Sequence, residues 1–254
     1  MTPPYKVIPT GGYDGTPPLE SEHGAYFYKY SYFWTCKSAS TEVDLRDTVL
    51  KFDNRSDNTR NNAYVFLACI GTSSTPAEFG IIAPYNADGE WRVYTRNAGE
   101  NVKVQKEVIF EPDKPIGSVY TYKNSEKITI KITLSGTDII GTIYRDKAEL
   151  CRYTVQGKEA SIGQSATHNT FMLGTSFVPI VDTTSPGGRN AYFEHVYLRN
   201  GLLYSGVDYR GEEVEWVPDK NNPMTYYAVL CYPDYITYNR FGTTDEEISI
   251  NYNK

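Results

Sequence analysis

Two glutamates of this chain sit inside apolar, strand-like runs. Glu78 lies in PAEFGIIAP and Glu194 in AYFEHVYL. Burial raises a carboxyl pKa and suits it to general-acid work. Glycoside hydrolysis needs two carboxylates flanking the scissile bond, one as acid and one as nucleophile or base. Glu78 and Glu194 therefore define one enzymatic expectation. The plainer alternative is that each pairs with an Arg or Tyr in a sheet, or ends a strand at solvent, since structural pairs also perturb such groups.

His195 follows Glu194 directly. Strand alternation places Glu194 with Tyr192, Val196 and Leu198, and His195 with Phe193, Tyr197 and Arg199 on the opposite face. On that pattern the two cannot act as a dyad, and His195 reads as an aromatic-packed histidine. His23 and His168 are remote, and the three histidines form no HxH or HExxH metal site. No GxSxG elbow, Walker loop or strand-borne GxGxxG is present, so nucleophilic-serine and nucleotide chemistry lack a signature. The polar loop 53–62, DNRSDNTRNN, is rich in Asp and Asn like a calcium loop. It lacks the Gly and terminal Glu of an EF-hand and reads as a solvated turn. Calcium there is the one cofactor worth naming; no other cofactor or metal is expected.

Sugar binding makes smaller demands: aromatic rings that stack on sugar faces and polar groups that hold hydroxyls. Trp91, Arg92, Tyr94 and Arg96 lie on one expected hairpin; Tyr197 and Tyr204 are expected to oppose each other across another. These six are the expected ligand-binding residues. Cross-strand tyrosine pairs also stabilise any sheet, which is the competing explanation.

Asn200-Gly201, between two aromatic-rich runs, is the strongest hairpin signal in the chain, because a type I′ turn needs φ > 0 at both central residues. Asp88-Gly89 is a second such signal. It puts Tyr85 opposite Arg92, Ala83 opposite Tyr94 and Ile82 opposite Thr95. KITIKITL at 127–134 alternates cleanly, with its Ile/Leu face toward a second layer and its Lys/Thr face toward solvent. With IIGTIYR and ELCRYTV it makes an antiparallel meander. Residues 25–36, 64–70 and 168–177 read as further strands, the second of them buried on both faces. Residues 1–24 read as an extended Pro/Gly-rich arm, and 25–254 as one domain. From about Trp216 the prolines predict irregular or edge-strand material, with a last strand in DEEISINYNK. No helix of useful length is predicted.

Composition narrows the classes. Hydrophobic residues are 40% and charged residues 22%, as in a globular domain. With 31 acidic against 25 basic residues the net charge is -6, which argues against a general nucleic-acid binder. No apolar run reaches the roughly eighteen residues of a membrane span. Tyrosine, at 23 copies, suits pleated strands and polar interfaces. The start has no apolar leader segment. The tyrosine-rich β composition leans toward a secreted or cell-surface protein whose signal peptide is not in this sequence. Cys36, Cys69, Cys151 and Cys231 form no CxxC pair; free thiols, or two disulfides in any of three pairings, are open.

Many strands with frequent turn signals predict an all-β, two-sheet antiparallel β-sandwich. The order of Glu78 to Ile81, Trp91, the meander at 127–155 and Ala191 to Gly201 resembles concanavalin A-like (laminin G-like) jelly rolls over about half the chain. Such folds host lectins, carbohydrate-binding modules, glycosidases, polysaccharide lyases and adhesion domains. The chain departs from the glycosidases of that fold in lacking an ExDxE or ExDxxE strand; Glu42-Val43-Asp44 has no third glutamate. It also lacks the QxH and YFKxG strands of alginate lyases. The expected function is thus a non-catalytic β-sandwich that binds carbohydrate or another surface ligand. The alternatives are a glycoside hydrolase or polysaccharide lyase using Glu78 and Glu194, and a structural or adhesion domain without a small ligand.

Overall fold

The computed structural model describes residues 7–9, 24–31, 36–52, 62–70, 77–84, 90–96, 103–107, 121–123, 127–135, 138–156, 170–178, 190–205, 213–216, 225–231, 233–241 and 244–253. They form β1 (Val7–Pro9), β2 (Ala25–Ser31), β3 (Cys36–Asp44), β4 (Val49–Lys51), β5 (Asn62–Ile70) and β6 (Ala77–Pro84). Next come β7 (Glu90–Arg96), β8 (Lys103–Glu107), β9 (Thr121–Lys123), β10 (Lys127–Ser135), β11 (Asp138–Arg145) and β12 (Ala148–Gln156). The chain ends with β13 (Thr170–Val178), β14 (Tyr192–Ser205), β15 (Glu213–Glu215), β16 (Thr225–Cys231), β17 (Ile236–Phe241) and β18 (Asp245–Asn251). A short 3-10 turn, Pro233–Tyr235, precedes β17.

The strands divide into two sheets. The first has eight strands in the order β1-β16-β2-β13-β5-β6-β7-β9. The second has ten: the path β17-β18-β14-β3-β10-β11-β12-β8, with β15 and β4 also paired to β14. All pairings are antiparallel except β1 with β16, so the chain is an all-β two-sheet sandwich.

Alternation explains the shared core. In β10, Ile128, Ile130 and Ile132 are buried while Lys127 is exposed, so the Ile face packs inward and the Lys/Thr face outward as the pattern predicts. β5 is buried on both faces, as its continuous apolar run requires. Val65, Leu67 and Cys69 join the inter-sheet core, while Phe66 and Ala68 join a second cluster with Tyr26, Tyr30 and Met172. Phe79 of the first sheet lies against Gly141 of the second, where a Cβ would stand 2.3 Å from the Phe79 ring. Gly141 thus makes a socket for a ring from the opposite layer.

Several sequence expectations change. Asn200-Gly201 is not a hairpin: β14 runs unbroken through it. Arg199 pairs with Glu42 and Leu202 with Ser40, so β14 carries one extra residue there. Asn200 has φ 50, the left-handed conformation that a bulge uses as readily as a turn does. Tyr197 and Tyr204 consequently lie on one strand, about 20 Å apart along it, and do not oppose each other.

β6 and β7 do pair, but Ile82 faces Arg92 and Gly80 faces Tyr94. The odd shift from the two-residue-turn register turns Ile81 and Ala83 inward and Ile82 outward. Residues 85–89, including the Asp88-Gly89 signal, lie outside the described residues. In the C-terminal segment β17 is an edge strand and DEEISIN forms β18, as expected, while β16 is regular and sits inside the first sheet. In the predicted arm, Val7–Pro9 pairs with β16.

Candidate functional site

The second sheet has its most unusual backbone at His195. β14 pairs Phe193 with Ile250 and Val196 with Ile248 of β18, so a bulge falls between them. Phe193 and Val196 both point into the core. The intervening Glu194 and His195 therefore escape the simple alternation that had put them on opposite faces. His195 takes φ 60, a conformation costing a residue with a Cβ about 1–2 kcal/mol.

Three contacts hold the strained residue. Its N–H donates to Ser249 Oγ at 3.0 Å, and its carbonyl accepts from Thr48 Oγ1 at 2.9 Å. Its Nδ1 lies 2.7 Å from Glu247 Oε1. Thr48 comes from the short connection that separates β3 from β4, so both flanking strands contribute. Glu247 is buried, whereas the His195 side chain is 48% exposed. A carboxylate accepting from Nδ1–H fixes the ring's orientation and leaves Nε2 as its free acceptor. Strain over-determined in this way is a feature of functional sites.

A row of polar groups continues from this point. Asn239 Nδ2 donates to Glu247 Oε2 at 3.2 Å. Tyr197 pairs with Asp44 of β3 on one side and Glu247 of β18 on the other. The Arg199 guanidinium lies 5.0 Å from the Tyr197 ring centroid and reaches Asp245 Oδ2 at 3.0 Å and Asp44 Oδ2 at 3.4 Å. Arg46 holds Asp44 in a two-pronged contact at 2.8 and 2.6 Å. Those hydrogen bonds hold the Asp44 carboxyl below its ordinary range, against the opposing effect of burial. Burial, then the charges of Glu247, Asp47 and Asp44, raises the Tyr197 phenol, so its hydroxyl stays a donor at neutral pH.

The expected carboxylate pair is not brought together. Glu78 lies on β6 of the first sheet, where the Tyr94 hydroxyl donates to its Oε2. Glu194 lies on β14 of the second sheet and accepts from Asn251 Nδ2 at 2.6 Å. Their strand neighbours Phe79 and Phe193 point into the common core, so the two carboxylates occupy opposite outer faces with that core between them. Sheets stack about 10 Å apart before side chains are added, so one glycosidic bond cannot lie between them. Glu78 follows the plainer alternative, a carboxylate paired with a tyrosine.

The expected binding residues fall in three places. Trp91 is 0% exposed and packs 5.5 Å from the Phe193 ring, so it fills the core and does not meet a ligand. Arg92 and Tyr94 are on the outer face of the first sheet, with Arg92 exposed and Tyr94 packed edge-on against Tyr64 and Phe66. Arg96 pairs with Glu78 in the ladder. Tyr197 and Tyr204 are on the outer face of the second sheet. Residues 53–61 of the proposed calcium loop lie outside the described residues. Cys69 is a buried free thiol, so no arrangement with all four cysteines in disulfides forms. Burial pushes the Cys69 thiol up to about 12.

Reading the chain residue by residue missed Asp44, Thr48, Asn239, Asp245, Glu247 and Ser249 as partners of β14. The only signal was the unusual acidity of DEE at 245–247 within a predicted strand. No family model matches this chain, and no curated protein matches it.

Proposed function

We propose that this protein is a non-catalytic, glycan-binding β-sandwich of the concanavalin A-like type, acting outside the cell or at its surface. The ligand lies on the outer face of the second sheet around Tyr197. The supporting observation is the fixed polar frame around that ring: Arg199 over it, and the His195, Glu247 and Asn239 row beside it. Side chains seated on strands and held by one another lose little freedom when a ligand arrives. The Tyr197 hydroxyl and the guanidinium offer donors to sugar hydroxyls and the imidazole Nε2 an acceptor, while the half-buried Tyr197 ring offers apolar contact.

One observation favours a second reading, a glycan-cleaving enzyme. A histidine anchored at Nδ1 by a carboxylate and held at φ 60 has the form of a general base, and Tyr197 lies near it on the same face. Elimination at a sugar ring is the reaction such a pair performs: His195 takes the proton from a ring carbon, the electron pair becomes the new C=C bond, and the glycosidic C–O bond breaks with the Tyr197 hydroxyl donating a proton to the leaving oxygen.

A glycan array followed by a product-release assay separates the two. Binding without release, lost in Tyr197→Ala, is the result expected. Release of sugar that His195→Ala abolishes would replace the first reading with the second. Neither binding nor release would leave a structural domain.

A further inference from the structure

Among the described residues, an ionic contact crosses the interior of the sandwich. Lys29 projects from β2 of the first sheet and Glu246 from β18 of the second, with side-chain exposures of 1% and 2%. Lys29 Nζ donates to Glu246 Oε2 and, at 2.9 Å, to the Trp216 carbonyl. The Trp216 ring centroid is 5.3 Å from the same nitrogen. The Tyr238 hydroxyl donates to the other carboxylate oxygen, Oε1, at 2.7 Å. The Asn200-Gly201 bulge takes part, since the Trp216 N–H donates to the Gly201 carbonyl at 2.7 Å and this seats Trp216 over the amine.

Such a pair is expensive to bury as ions, because the desolvation of two charges rivals their attraction. Transfer of one proton along the Nζ–H to Oε2 hydrogen bond removes both charges. It leaves a neutral amine held against a neutral carboxylic acid, shielded from solvent beside Trp216 and Tyr238. Burial pushes the Lys29 amine down from its ordinary value, with Glu246 opposing.

We propose that Lys29 and Glu246 condense to an amide, an internal covalent staple between the two sheets. The Nζ lone pair attacks Cδ of Glu246, and the electron pair of the Cδ–Oε1 bond moves onto Oε1, where the Tyr238 hydroxyl stabilises it. A second proton passes from nitrogen to Oε2, and the Cδ–Oε2 bond breaks to release water. Oε1 becomes the amide carbonyl and keeps its hydrogen bond from Tyr238. The ammonium and carboxylate supply every atom of the amide and of the water, so no oxidant or co-reactant is needed. Correct docking of the two sheets supplies the proximity that makes an unactivated condensation feasible. The link closes a loop spanning 217 positions of the chain.

Intact-mass spectrometry of the folded, reduced full-length chain tests this, followed by peptide sequencing. The expected result is a mass lower than the sequence mass by one water, with the Lys29 peptide joined to the Glu246 peptide. Lys29→Met keeps the sequence mass. Glu246→Gln loses ammonia in place of water and reaches the same linked mass as the wild type. Two results would overturn the proposal: an aged, folded wild-type chain at full sequence mass, or water loss mapped to another position. Either reads directly on the wild-type protein, whether or not the variants fold.

Discussion

His195 Nδ1 and Glu247 Oε1 stand 2.7 Å apart across β14 and β18, and the histidine making this contact sits at φ 60. The two facts belong together. Without the bulge, strict alternation would turn His195 toward the core, away from the carboxylate. The left-handed residue carries the imidazole to the outer face, and Ser249, Thr48 and Glu247 hold it there.

Substitutions at His195 are expected to sort by tolerance of φ > 0. His195→Asn changes stability by less than about 1 kcal/mol, because Asn accepts the left-handed region. His195→Val destabilises by about 2 kcal/mol, because a β-branched residue there is strained. Urea denaturation midpoints with unchanged slopes measure both. The reverse order would show that the bulge does not govern this position.

Trp91 is expected to behave as core. Trp91→Ala lowers stability by about 3–5 kcal/mol. Arg92→Ala, next to it and exposed, stays within about 0.5 kcal/mol of wild type. Thermal or urea unfolding of the two variants checks the contrast. A mild Trp91→Ala would place the indole outside the core.

Gly141→Ala should destabilise by about 1–3 kcal/mol, since its methyl would meet the Phe79 ring from the other sheet. Phe79→Leu in the same chain should recover part of that loss, giving a coupling of about 0.5 kcal/mol or more in a double-mutant cycle. Strict additivity would mean that the two sheets do not meet there.

Asp44 sets an acid dependence. Its folded-state pKa lies below the unfolded value, so its contribution is present above about pH 4. That contribution is lost as pH falls through the folded-state value. Asp44→Asn should therefore flatten the stability–pH curve below about pH 4 and lower stability at neutral pH. Denaturation series from acid to neutral pH show this; an unchanged acid slope would remove Asp44 as its source.

The fold was largely legible because alternation is a local property. KITIKITL declares its buried face, and YVFLACI declares a strand covered on both sides. The candidate site was not legible, for two physical reasons. Asn200-Gly201 satisfies φ > 0 equally well in a turn and in a bulge, and only the register of β3 against β14 decides between them. His195 carries no marker of the left-handed region, so parity counted from Phe193 failed one residue before Val196. Its partner Glu247 is 52 positions away in the chain, a distance over which neither spacing nor periodicity speaks.

The most direct test of the proposed glycan site is calorimetric titration of the array-selected glycan into wild type, Tyr197→Ala and Arg92→Ala. The expected outcome is affinity weakened at least about tenfold in Tyr197→Ala, or about 1.4 kcal/mol, and unchanged in Arg92→Ala. Wild-type affinity in Tyr197→Ala, or a loss confined to Arg92→Ala, would contradict a glycan site on the outer face of the second sheet.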